Sequence, residues 1–106
     1  MGERTTRDEP GVVTEIRPKK KVAQPRPYRV LLHNDDYTTM EFVVHVLESV
    51  FQKSPAEAYQ IMMHVHVNGR GIAGVYPWEV AETKVETVIT MARESGYPLK
   101  AITEEV

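Results

Sequence analysis

The stretch Tyr28-Arg29-Val30-Leu31-Leu32-His33-Asn34-Asp35-Asp36-Tyr37-Thr38-Thr39-Met40-Glu41-Phe42-Val43 holds a strand, a turn and a helix start, in that order. Residues 28–34 are rich in apolar side chains and partly alternate. They run into the turn formers Asn34-Asp35-Asp36, which reads as a β-strand closing at a turn. Beyond the turn the period changes. Thr38 with Glu41 three residues on has the pattern of a capping box, and Asp36 reads as a helix-capping residue. Met40, Val43, Val44, Leu47, Val50 and Phe51 then recur at helical spacing. Phe42 and Val46 fall off that stripe, so the helix should be covered on more than one side.

Downstream, Ser54-Pro55-Ala56-Glu57 is a second helix start: serine caps, proline suits the first helical position, and Glu57 completes the box. Its inner stripe is Ala58, Ile61, Met62 and Val65. Asn68-Gly69-Arg70-Gly71 ends that helix and turns the chain. Ile72–Tyr76 reads as a short strand. Pro77 opens a third helix with the stripe Ala81, Val85, Val88 and Ala92, which Gly96 stops and Pro98 prevents from resuming. Residues 98–103 form a last strand. The order is β-α-α-β-α-β. Three strands are too few for a sheet covered on both faces. The expected fold is therefore a small α+β two-layer domain, a three-stranded antiparallel sheet with three helices on one face.

The 106 residues divide by charge. Residues 1–27 carry seven Lys/Arg against four Asp/Glu, and residues 28–106 carry six against eleven. Four of the seven prolines fall in the first stretch, which has few large apolar side chains and no period. Such a segment cannot bury enough surface to offset its ordering entropy. Residues 1–26 are thus expected to be a flexible basic extension, and residues 27–106 the folded core. Pro18-Lys19-Lys20-Lys21 is a possible electrostatic contact. The acidic body, lacking a stripe of aromatic and basic residues, argues against nucleic acid as the main partner. No apolar run approaches the ~18–20 residues that cross a bilayer, and no apolar signal segment is seen; a cytoplasmic protein without membrane partners is expected. The absence of cysteine excludes disulfides, thiol nucleophiles and cysteine-bound zinc.

Three features have chemical content. His64 and His66 are two residues apart, so on a helix they point roughly 200° from each other and cannot bind one ion. His66 shares a stripe with Met62, while His64 faces away. No metal or other cofactor is expected. The Asp35-Asp36 pair beside a histidine admits acid–base chemistry, but no nucleophile or phosphate-cradling loop accompanies it. The pairs Met40/Val43 and Met62/Val65 read first as core. If the two helices meet near the acidic strand end, the same residues would wall an apolar hollow with a polar rim, the general form of a ligand site.

The residues 30–43, Val30-Leu31-Leu32-His33-Asn34-Asp35-Asp36-Tyr37-Thr38-Thr39-Met40-Glu41-Phe42-Val43, resemble the signature of the ClpS family, and so does Glu79-Val80-Ala81-Glu82-Thr83-Lys84-Val85. ClpS proteins are adaptors of the bacterial Clp protease, which pairs a ClpA or ClpC unfoldase with the ClpP peptidase. The resemblance implies a non-enzymatic, monomeric adaptor for N-degrons beginning with Leu, Phe, Tyr or Trp. It implies α-amino contacts from Asn34, Asp35 and His66. It implies a pocket of Thr38, Met40, Val43, Met62, Val65 and Leu99, with Asp36 at the rim and Met40 at the mouth excluding β-branched residues. Glu79 and Lys84 would face the N-terminal domain of the unfoldase, and residues 1–26 would promote hand-over. Thr39 and Pro77-Trp78 depart from the usual pattern. Two other readings remain open at this point. One is a ribosomal-stalk-like interaction domain without a pocket; the other is a metal-dependent hydrolase using Asp35, Asp36 and His66.

Overall fold

The most apolar strand lies in the middle of the sheet. The structure, a computed structural model, describes residues 26–106. The expected extension, Arg26 apart, lies outside the described residues. The elements are β1 (Pro27–His33), α1 (Met40–Ser49), α2 (Pro55–Asn68), β2 (Arg70–Pro77), α3 (Trp78–Ser95) and β3 (Lys100–Glu105). They form a three-stranded sheet in the order β2-β1-β3, with both pairings antiparallel. This is the β-α-α-β-α-β two-layer fold expected from the sequence.

Alternation along β1 sorts the sheet into two faces. Val30 and Leu32 point to the helices and are fully buried. Arg29, Leu31 and His33 point away. One extra residue in β2, opposite Val30–Leu31, keeps Ile72 and Val75 in register with Leu31 and Arg29, and so on the same outer face. The helix α3 crosses all three strands, while α2 packs on β2 and α1. The α3 stripe Ala81, Val85, Val88 and Ala92 is buried as its spacing predicts. Val46, Leu47, Val65 and Val88 join Val30 and Leu32 as the largest fully buried side chains of the core. Each such side chain is worth roughly 1.5–3 kcal/mol relative to its exposed state, an upper figure because unfolded chains already bury some surface.

Several local expectations change. The first helix begins one residue later than its capping pattern indicated: Thr39, not Thr38, is the N-cap, accepting the Phe42 amide at 3.1 Å. Asp35 rather than Asp36 organises the turn before it. Met40, on the expected stripe, is 41% exposed, whereas Val46, off it, is fully buried, in line with a helix covered on more than one side. The capping box at Ser54 and Glu57 forms as read, with Pro55 in the first turn.

Candidate functional site

Asn34 and His66 stand far apart in sequence, and Gly69 brings them together. Its amide donates to the Val65 carbonyl at 2.9 Å and closes α2. Its carbonyl accepts the Asn34 amide at 2.8 Å, tying the end of β1 to the end of α2. The bend requires φ of +90° at Gly69, where a side chain costs roughly 1–2 kcal/mol. Gly71 lets β2 approach α2 closely: a Cβ there would meet Val65 Cγ2 at 2.9 Å.

Beyond Asn34, the Asp35 carboxylate holds the turn. Its Oδ1 accepts the backbone amides of Tyr37 at 2.8 Å and Thr38 at 2.7 Å. Its Oδ2 accepts the Thr38 hydroxyl at 2.7 Å. Partial burial works to raise the carboxyl, but the bonds from the Thr38 amide, the Thr38 hydroxyl and the Tyr37 amide outweigh it and hold it below its ordinary value. A carboxylate has about four acceptor positions, so one remains for a further donor.

These contacts place a hollow of about 220 Å³ between the turn, α1 and α2. Asn34, Asp35, Asp36 and His66 line it with polar groups. Thr38, Met40 and Val43 line it from the turn and α1, and Met62 and Val65 from α2. It is smaller than the roughly 300–1,000 Å³ of sites for drug-sized ligands and suits a single side chain. Nine of the ten residues expected at such a pocket therefore meet at one place. Leu99 does not join them: it is 5% exposed and packs in the main core. Among the described residues, no group of three His, Asp or Glu side chains is arranged to hold a metal ion.

The other two expected site residues differ from each other. Glu79 is exposed in the first turn of α3. Lys84 is turned inward. Its ammonium donates to the Val50 carbonyl at 2.7 Å and Gln52 Oε1 at 3.3 Å, and it lies 5.1 Å from the Tyr76 ring centroid. It thus satisfies the C-terminal end of α1, where Gln52 adopts φ of +52°. Trp78, one of the departures, is half exposed and packs edge-on to Tyr28 at 5.0 Å.

Residues 23–102 match the protein family described as "ATP-dependent Clp protease adaptor protein ClpS". The chain belongs to the ClpS family. It is 58% identical over 89 residues to the ATP-dependent Clp protease adapter protein ClpS of Myxococcus xanthus, covering 84% of this chain and 83% of that one. It is 60% identical over 93 residues to the ClpS of Desulfatibacillum aliphaticivorans, covering 88% of each. Its fold matches the structure of Agrobacterium tumefaciens ClpS2 bound to L-phenylalaninamide with a TM-score of 0.76 at 38% identity, over 78% of this chain and all of that one. These relatives favour neither the stalk-like domain nor the hydrolase. No helix among the described residues is long and apolar enough to cross a membrane.

Proposed function

We propose that the chain captures proteins beginning with Leu, Phe, Tyr or Trp and delivers them to a ClpA- or ClpC-type unfoldase for degradation by ClpP. The observation that carries this reading is the composition of the 220 Å³ hollow: apolar walls beside a rim whose carboxylate is already held ionised. A free α-amino group has a reference pKa of about 7.7–8.0 and is largely cationic at neutral pH, so its binding calls for acceptors. Asp35 supplies a carboxylate oxygen, Asn34 an amide oxygen and neutral His66 a ring nitrogen. An internal peptide nitrogen would leave these acceptors unpaired, at roughly 1–3 kcal/mol per buried group. Burying a Leu or Phe side chain against Met40, Val43, Met62 and Val65 adds roughly 1.5–3 kcal/mol. The phenylalaninamide held by the Agrobacterium ClpS2 has the same two features, a free amino group and an aromatic side chain.

In this reading Met40 stands at the mouth and excludes β-branched first residues, whose bulk lies close to the backbone. Asp36 completes the rim. Glu79 contacts the N-terminal domain of the unfoldase, and Lys84 contributes by holding the end of α1 in place. Residues 1–26 form the extension that promotes hand-over. The adaptor works as a monomer in the cytoplasm, and its partners perform all proteolysis. The test is a reconstituted degradation assay with a reporter exposing an N-terminal Leu. Degradation should require the chain, and Glu79→Lys should abolish delivery while leaving Leu-peptide binding intact. Delivery unchanged in Glu79→Lys, or equal for reporters exposing Leu and Val, would contradict the reading.

A further inference from the structure

A second hollow, of about 350 Å³, lies on the other side of α2, against the outer face of the sheet. Leu31, Ile61 and Ile72 give it an apolar lining, and Arg29, Arg70 and His64 bring donors to it. Leu31 is 4% exposed although it stands outside the main core cluster; Ile72, its neighbour across the strands, is 46% exposed. The Asn68 side-chain amide lies 3.1 Å from Nδ1 of His64. An amide nitrogen only donates, so Nδ1 accepts and the ring proton sits on Nε2 as a further donor.

Charge distinguishes this face from the rest of the body. Of the six Lys/Arg in residues 28–106, three lie on it: Arg29, Arg70 and Lys100. Arg70 and Lys100 flank His33 in register across the three strands. Against them stands Glu104, which also lines the hollow and pairs with Arg29 at 3.5 Å, leaving Arg70 and Lys100 in excess. Among the described residues Arg70 has no ion-pair partner. An acidic body thus carries one basic face with an apolar hollow in it. Its complement is a segment that alternates carboxylates with bulky apolar side chains. Nucleic acid fits poorly, since no aromatic side chain among the described residues lines the hollow and the body that carries it, residues 28–106, has eleven carboxylates.

The two hollows share α2. Met62, Val65 and His66 line the first, Ile61 and His64 the second, and Arg70 opens β2 just past the Gly69 cap of the helix. The Asn68–Arg70 turn stands between the residues that line the two hollows, which makes it the candidate route for a polypeptide whose ammonium group sits at Asn34, Asp35 and His66. We infer that the outer hollow binds an acidic, apolar stretch of the same substrate chain, downstream of its N-terminal residue. This rests on the N-degron reading and adds a second, sequence-selective contact to it. Tethering through the first residue raises the local concentration of the downstream stretch to about the millimolar range, so a weak contact suffices.

The test is fluorescence anisotropy on the full chain with Leu-initiated peptides. Gly/Ser linkers of graded length would join the first residues to an Asp/Leu, a Lys/Leu or a Gly/Ser segment. At a matching length the Asp/Leu peptide should bind about tenfold tighter than the Gly/Ser peptide, the gain expected of a weak tethered contact. The gain should disappear in Arg70→Glu and at high salt, with the short Leu peptide unaffected by the substitution. No gain at any length, an equal gain for Lys/Leu, or a gain that survives Arg70→Glu would overturn the inference. So would an acetylated Asp/Leu segment that binds alone but gives no gain when tethered. Failure of the short Leu peptide itself to bind would instead overturn the N-degron reading.

Discussion

On one side of α2 the polar groups are acceptors centred on a carboxylate; on the other, donors centred on two guanidinium groups outnumber the one carboxylate, Glu104. Both sides offer apolar side chains of similar size, Met62 and Val65 on the first and Ile61 and Ile72 on the second. Successive residues on a helix are about 100° apart, so one turn of sequence serves two surfaces. The comparison teaches that apolar volume alone does not define what this molecule takes. The sign of the rim does: the first hollow suits a cation with an apolar side chain, the second an anion with one.

Asp35 is the place to break that contrast, and the largest effect is expected there. Among the described residues it supplies the one carboxylate that both lines the first hollow and holds the turn beside it. Asp35→Ala removes charge and turn together and should weaken Leu-peptide binding at least about 100-fold, in line with the ~2–5 kcal/mol lost when one side of a bonded charge pair is removed. Asp35→Asn keeps an oxygen for the Tyr37 and Thr38 amides. It should retain the fold by thermal melting and still lose about tenfold in affinity. Equal binding by Asp35→Asn and the unaltered chain would mean that charge does not select the ligand.

Thr38 sharpens the same contrast at a smaller scale. Thr38→Val removes the hydroxyl donated to Asp35, a bond worth about 1 kcal/mol, so peptide affinity should fall about fivefold. A carboxyl held low in the folded state adds stability above its unfolded value near pH 3.9, and loses it as pH falls through the folded value. In both proteins the contribution should begin to fall as pH drops through the unfolded value of about 3.9; in Thr38→Val it should be smaller at neutral pH and be exhausted at a higher pH. Urea melts across that range read the difference directly.

The smallest effect on ligand binding is expected at Lys84. Lys84→Met leaves the Val50 carbonyl without its donor and should cost about 1 kcal/mol of stability, with Leu-peptide affinity unchanged. A stable Lys84→Met protein that no longer binds the unfoldase would move Lys84 from the support of α1 to the docking surface itself.

What could be read in advance follows from how local each signal is. The element order, the stripe of α3 and the box at Ser54 rest on residues within one or two turns, and they formed as expected. The same local pattern misled at α1, where Thr38 and Thr39 both suit a cap; the carboxylate of Asp35 decides between them by engaging Thr38. Phe42 and Val46, off the apolar stripe, pointed to a second covered side, which the burial of Val46 bears out, but no local spacing showed that Leu99 belongs to the core. Nine pocket residues were legible because a family resemblance supplied them. Periodicity alone could not have brought Asn34 to His66, a meeting that depends on the left-handed turn at Gly69. The basic outer face was missed because its cations are spread over three strands and gather only once the register is known.

The most direct test of the acceptor-lined hollow is calorimetric titration of the chain with L-phenylalaninamide and with its N-acetylated form. The two ligands share the side chain and differ in the ammonium group. The account expects heat of binding from the free amine alone, and none from the acetylated form at the same concentrations. Comparable binding of both would show that the apolar walls act without the rim, and would contradict the account at its centre.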